Sequence, residues 1–105
     1  MVVQQLAQPV VMGTNAQLAA IEVKMSFAKQ ELKVIRWSEA RKIIPNSTPF
    51  AQSMKAVEEI NELVDALRED KREDAIDAVG DTLVCLINVC ALMDVNITDC
   101  LAAAY

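Results

Sequence analysis

Two short stretches carry five carboxylates at spacings that suit joint chemistry. "EEINE" holds Glu58, Glu59 and Glu62, and "DAVGD" holds Asp77 and Asp81. On a helix, residues three and four apart are neighbours, so each group stacks along one face. The second stretch opens a run, "IDAVGDTLVCLINVC", that is apolar except where Asp77, Asp81 and Asn88 interrupt it. If the two helices lie side by side, Glu58 or Glu59, Glu62, Asp77 and Asp81 converge on one groove. Such a cluster repels itself and raises its own pKa values. A hard divalent cation removes that penalty. Mg²⁺ takes oxygen ligands and keeps waters free for a substrate's phosphates.

Singly, most of these acids have a plainer explanation. Glu58 fits a solvated helix face. Asp74 complements the helix dipole in a first turn. Lys55 and Glu59 form an i, i+4 pair of opposite charge. Asp81, well inside an apolar helix and beside Gly80, resists that treatment, and Glu59, Glu62 and Asp81 as a set favour a metal site. Asn88, two turns further on, needs a partner if it is buried.

The elements that must position these residues read as helices throughout. Residues 1–13, with Pro9 and Gly13, read as an irregular arm, and residues 14–105 as one helical domain. Asn15 to Lys42 is rich in helix formers and forms one long helix or two, with Leu18, Ile21, Met25, Leu32 and Ile35 on its apolar side. "IIPNSTP" is a break, with Pro45 ending the preceding helix and Thr48–Pro49 fitting an N-cap followed by Pro at the first helical position. The helix from about Pro49 to Glu69 has a stripe of Val57, Ile60, Val64 and Leu67 expected to be buried, with Leu63 beside it. "EDKRE" is a short charged turn, so the next helix, about Arg72 to Met93, is expected antiparallel to it. Its expected buried side is Ile76, Val79, Leu83, Leu86, Ile87 and Cys90. Thr98 looks like the cap of a fourth helix.

The composition agrees with a small all-α bundle. The chain has 105 residues, 53% of them hydrophobic, a net charge of −5 and no histidine. The acidic balance argues against a general electrostatic grip on nucleic acid. Cys85, Cys90 and Cys100 read as reduced core thiols of a cytoplasmic protein. No apolar run reaches the roughly 20 residues that span a bilayer, and the first residues lack the basic region of a signal peptide. Apolar residues around much of the third helix, including Val84, Val89 and Leu92, point to a homodimer or homotetramer.

The acid motifs, followed by "LVCLINVCALMDVNITDCL" and preceded by "RKIIPNSTPFAQSMKAVEEINELVDAL", resemble the MazG-like nucleoside triphosphate pyrophosphohydrolases, in particular the short phage and bacterial type. The resemblance spans about residues 33–105. The family motif is EExxE followed after a spacer by ExxD. Glu58, Glu59 and Glu62 match its first half and Asp81 its last acid, while Ala78 stands at the remaining Glu position and Asp77 is the natural stand-in.

The resemblance implies an oligomeric, antiparallel all-α bundle that hydrolyses (d)NTPs to the monophosphate and pyrophosphate. It implies Mg²⁺, with Mn²⁺ as a substitute, held by Glu59, Glu62, Asp77 and Asp81. Glu58 or Glu59 would accept the proton from water. Lys55, then Arg41 and Lys42, are the cations for the departing pyrophosphate. Trp37 would stack on a base or serve in a core or interface. Asn46, Ser47, Gln52 and Asn88 are candidate substrate contacts. A second reading, a catalytically weak helical interaction or regulatory module, draws on Ala78 and on the basic segment that relatives carry beyond the position of Tyr105. A carboxylate-bridged di-iron bundle is disfavoured, because such sites use Glu-x-x-His.

Overall fold

The computed structural model describes residues 26–105 and, before them, Asn15 alone. The expected arm and the apolar positions Leu18, Ile21 and Met25 lie outside the described residues. Among the described residues there are four helices and no strand: α1 (Phe27–Ala40), α2 (Pro49–Arg68), α3 (Arg72–Leu92) and α4 (Ile97–Ala104). The chain is all-α.

Local chemistry sets the boundaries. Thr48 caps α2 by accepting a 3.0 Å hydrogen bond from the Ala51 N–H, with Pro49 at the first helical position. The three longer helices end alike, on a residue with left-handed backbone that is not glycine: Lys42, Asp70 and Asp94. At each end the next N–H reaches back into the last turn, Ile43 to Ser38 O at 2.9 Å, Lys71 to Ala66 O at 2.8 Å and Val95 to Cys90 O at 2.9 Å. These are Schellman closures, which satisfy carbonyls the helix leaves unpaired. The first helix therefore stops at Ala40, ahead of Pro45, and the closure at Lys42 makes that end.

The fourth helix also starts differently from the sequence expectation. It begins at Ile97, and Asn96 flanks it without a capping side-chain bond. Its N-terminus is served by Glu31 of α1, which accepts from the Ile97 N–H at 2.8 Å and from Thr98 Oγ1 at 2.6 Å.

The helices α2 and α3 form the expected antiparallel hairpin, but its seam is not the expected one. Buried or half-buried on α2 are Ala56, Glu59, Leu63 and Ala66, and on α3 Ala75, Ala78, Thr82 and Cys85. Each set is the expected stripe shifted by one residue, about 100° around the helix. Val57, Ile60, Val64 and Leu67 are exposed, as are Ile76, Val79, Leu83 and Leu86. Ile87 is buried as expected, Cys90 is half-buried, and Val84, Val89 and Leu92 are half-buried rather than exposed. The physical reason is size. Alanines at the seam let the two helices approach closely, and the larger branched residues are left on a flank. There Leu63, Leu67, Ile76 and Val79 line an apolar groove of about 470 Å³.

Helix α3 is long and apolar enough, by length and composition, to cross a membrane. Of the cysteines, Cys85 is buried, Cys90 half-buried and Cys100 exposed, so the third is not a core thiol.

Candidate functional site

The acids gather along one side of the hairpin, in two pairs. On α2, Glu59 points toward the seam while Glu62, one turn on, is exposed. Oε2 of Glu59 is buried and has no hydrogen-bond partner. Its carboxyl is held above the usual range by burial first, then by a hydrogen bond to the neighbouring Glu62 carboxylate and by the charges of Glu62 and Asp81. On α3, Asp81 is raised by burial, then by the charge of Asp77, the charge of Glu62 and a hydrogen bond with Asp77. Glu62 thus acts on both pairs across the seam, and it also lines an acidic cleft of about 290 Å³ with Asp65, Glu69, Asp74 and Asp77.

Four of the five motif acids are therefore in electrostatic contact. Glu58 is the exception. It faces solvent and makes a 3.9 Å ion pair with Lys55. Lys55 nevertheless lowers the pKa of both Glu59 and Asp81, so its charge reaches the cluster. The expected Lys55–Glu59 pair is replaced by Lys55–Glu58. Ala78 lies in the seam, 3% exposed. The position where the motif carries Glu is thus turned into the helix contact.

A divalent cation suits this chemistry on two observations: the orphaned buried Oε2 of Glu59, and neighbouring carboxylates whose charges raise Glu59 and Asp81. Among the described residues no three Asp, Glu, Cys or His form a ready ligand cage. The acids are two adjoining pairs, with Glu62 and Asp77 exposed.

Beside Asp81 the hairpin meets α1. A cleft of about 350 Å³ is lined by Lys33, Val34, Trp37, Asp81 and Val84. Trp37 is half-exposed there, and the Arg41 guanidinium sits 4.5 Å from its ring centroid. Arg41 therefore occupies one face of the indole. Lys33 was not singled out from the sequence, where it is one of several charges on an ordinary helix face. Lys42 and Asn46 are exposed in the α1–α2 connection, and no hydrogen bond ties their side chains to the acids.

Gln52 and Asn88 take a different part from the expected one. Asn88 is 2% exposed, accepts from Ser38 Oγ at 2.6 Å and donates to Gln52 Oε1 at 3.2 Å. Gln52 in turn donates to Ser47 Oγ at 3.1 Å. Both ends of each amide are engaged within the protein. Asn88 has the partner its burial demands.

Residues 37–104, from Trp37 through both acid pairs to the end of α4, match the family described as phosphoribosyl-ATP pyrophosphohydrolase. The chain belongs to that family. The phosphoribosyl-ATP pyrophosphohydrolases are part of the MazG-like NTP pyrophosphohydrolase superfamily, in agreement with the motif resemblance and the all-helical fold. Membership of the phosphoribosyl-ATP pyrophosphohydrolase family points to pyrophosphohydrolase-type activity. No curated protein and no solved structure matches the chain.

Proposed function

We propose that the protein is a Mg²⁺-dependent pyrophosphohydrolase that cleaves the α–β phosphoanhydride of a nucleoside triphosphate, releasing the monophosphate and pyrophosphate. The observation that carries this reading is the unpartnered, buried Oε2 of Glu59 beside Glu62 and across from Asp81. A buried polar atom without a partner calls for an explanation, and a cation shared by these acids supplies one. Glu59, Glu62 and Asp81 would hold the ion, with Asp77 reaching it directly or through a water. Bound there, Mg²⁺ supplies charge neutralisation for the phosphate oxygens and a lower pKa for a coordinated water.

The remaining steps fall to the chain's own side chains. Glu59 is better placed than Glu58 to take the proton from the attacking water, because it faces the cluster and Glu58 faces solvent. Lys55 and Lys33 flank the acids and offset the charge of the departing pyrophosphate. Trp37, in the wall of the adjoining cleft, is the aromatic surface on which the base would stack. The exposed apolar flank of the hairpin supports assembly through a second copy of the chain.

The family's named substrate, phosphoribosyl-ATP, carries the same triphosphate bond, so the choice of nucleoside lies with the Trp37 cleft rather than with the acids. Pyrophosphate release from a panel of dNTPs, NTPs and phosphoribosyl-ATP, with Mg²⁺ and with EDTA, tests the proposal. Mg²⁺-dependent release from at least one member is expected. The second reading, an interaction module with weak or no turnover, is favoured by Ala78 in the seam, and release from none of the panel would support it instead.

A further inference from the structure

Helix α1 carries Lys33 and Trp37, two walls of the cleft beside Asp81. The way it is held differs from the usual docking of an amphipathic helix. Its two fully buried residues are both polar, Glu31 at 4% exposure and Ser38 at 0%. Its larger apolar residues contribute less: Leu32 and Trp37 are exposed, and Val34 and Ile35 are half-buried.

Glu31 and Ser38 sit about two turns apart on one face, and they bracket Lys33, Val34 and Trp37. Each engages a different element. Ser38 Oγ donates to Asn88 Oδ1 on α3 at 2.6 Å, and the chain Asn88–Gln52–Ser47 carries the connection to α2 and the α1–α2 loop. The Ser38 carbonyl accepts the Ile43 N–H that closes the end of α1. At the other end, both carboxylate oxygens of Glu31 are used by α4, through Ile97 N–H and Thr98 Oγ1.

Apolar contacts tolerate sliding, whereas hydrogen bonds to buried groups do not. A shift of α1 by one turn would leave Asn88 Oδ1, Glu31 and the N-terminus of α4 without partners, and buried groups left unpaired are costly. We infer that Glu31 and Ser38 are positioning residues: these two polar anchors fix the register of α1, and so set Lys33 and Trp37 against Asp81. Neither touches the cleft itself.

The inference concerns the site of the proposed hydrolase, but part of its test is independent of that activity. Trp37, the sole tryptophan, adjoins Ser38 and reports the placement of α1 directly. The variants are Ser38→Ala, Ser38→Thr, Glu31→Gln and Glu31→Ala, each checked for helical content by circular dichroism. Ser38→Ala and Glu31→Ala are expected to move Trp37 emission to the red and to increase its quenching by acrylamide. They are also expected to raise KM for the nucleotide roughly 10- to 100-fold, with a smaller change in kcat, as misplacement of a binding wall does. Ser38→Thr restores the hydroxyl and should recover part of the effect. Glu31→Gln keeps one acceptor oxygen and should fall between wild type and Glu31→Ala.

If Ser38→Ala does not fold, Glu31→Gln decides. If the wild type hydrolyses nothing in the panel, the emission and quenching of Trp37 decide. Unchanged Trp37 emission and quenching in folded variants would overturn the inference, as would a fall in kcat with KM unaltered.

Discussion

Trp37 of α1 and Asp81 of α3 line the same cleft of about 350 Å³, although they stand far apart in the chain. One wall of that cleft is aromatic and the other is part of the acid cluster. A nucleotide whose phosphates are held at the acids would thus bring its base within reach of the indole. Addition of Mg²⁺ and a nonhydrolysable nucleotide analogue should quench Trp37 fluorescence. Trp37→Ala should raise KM by about 10- to 100-fold, the equivalent of roughly 1–3 kcal/mol of base stacking. Quenching by the analogue in the absence of any divalent ion would place the nucleotide somewhere other than the acids.

The acid cluster should also leave a signature in stability. Burial and neighbouring carboxylates raise Glu59 above its ordinary 4.5 and Asp81 above its ordinary 3.8. Between each ordinary value and the raised one, the folded state binds more protons than the unfolded state. Stability then falls as pH rises. The stabilisation is full below the unfolded values and is lost as pH passes through the raised folded values. Urea unfolding in EDTA across pH 4 to 8 should show this decline, and Mg²⁺ should flatten it. Glu62→Gln should flatten it without metal, because it removes a charge that acts on both acids.

Ala78 and Asp77 test how the family motif has been altered. Ala78 is in the helix seam, so Ala78→Glu forces a carboxylate against α2. Without metal the variant should lose about 1–3 kcal/mol of stability, as for a polar group buried without a partner. With Mg²⁺ part of that loss should return. Asp77→Ala should cut turnover roughly 10- to 100-fold, as expected of a group supporting a metal ligand. Adding Ala78→Glu to Asp77→Ala should recover some of it. Wild-type rates in Asp77→Ala would reduce Asp77 to a solvated helix residue.

The exposed flank of the hairpin calls for a cover. Leu67 is 65% exposed and Ile76 58%, and both line the apolar groove. Contiguous apolar surface of this kind marks an interaction site. Light scattering at micromolar concentration should give the mass of a dimer or tetramer, and Ile76→Asp should shift it toward the monomer. A monomeric wild type would mean that the flank serves another partner.

Short-range signals made much of this architecture legible. Thr48–Pro49 gave the start of α2, the charged turn gave the hairpin, and the acid spacing put Glu59 beside Glu62 and Asp77 beside Asp81, although no three of them form a ligand cage among the described residues. The buried seam was misplaced by one residue in both helices, because hydrophobicity marks the largest apolar side chains and these two helices pack on their smallest. Glu31 was not visible, since it stands among charged residues and its partners on α4 are 66 and 67 positions away. Lys33 was missed for a related reason: only the docking of α1 on α3 puts it beside Asp81. Asn88 was marked as needing a partner, but the sequence did not say that Ser38 and Gln52 would supply it.

Binding of a catalytic Mg²⁺ by Glu59, Glu62 and Asp81 is the basis of the proposed hydrolysis. It is tested most directly by pyrophosphate release from the best substrate as a function of Mg²⁺ concentration in wild type, Glu62→Gln and Asp81→Asn, with helical content verified for each. The wild type should show saturable activation by Mg²⁺, and either substitution should abolish turnover at every concentration while the fold is kept. Rates near wild type in both variants would contradict the claim.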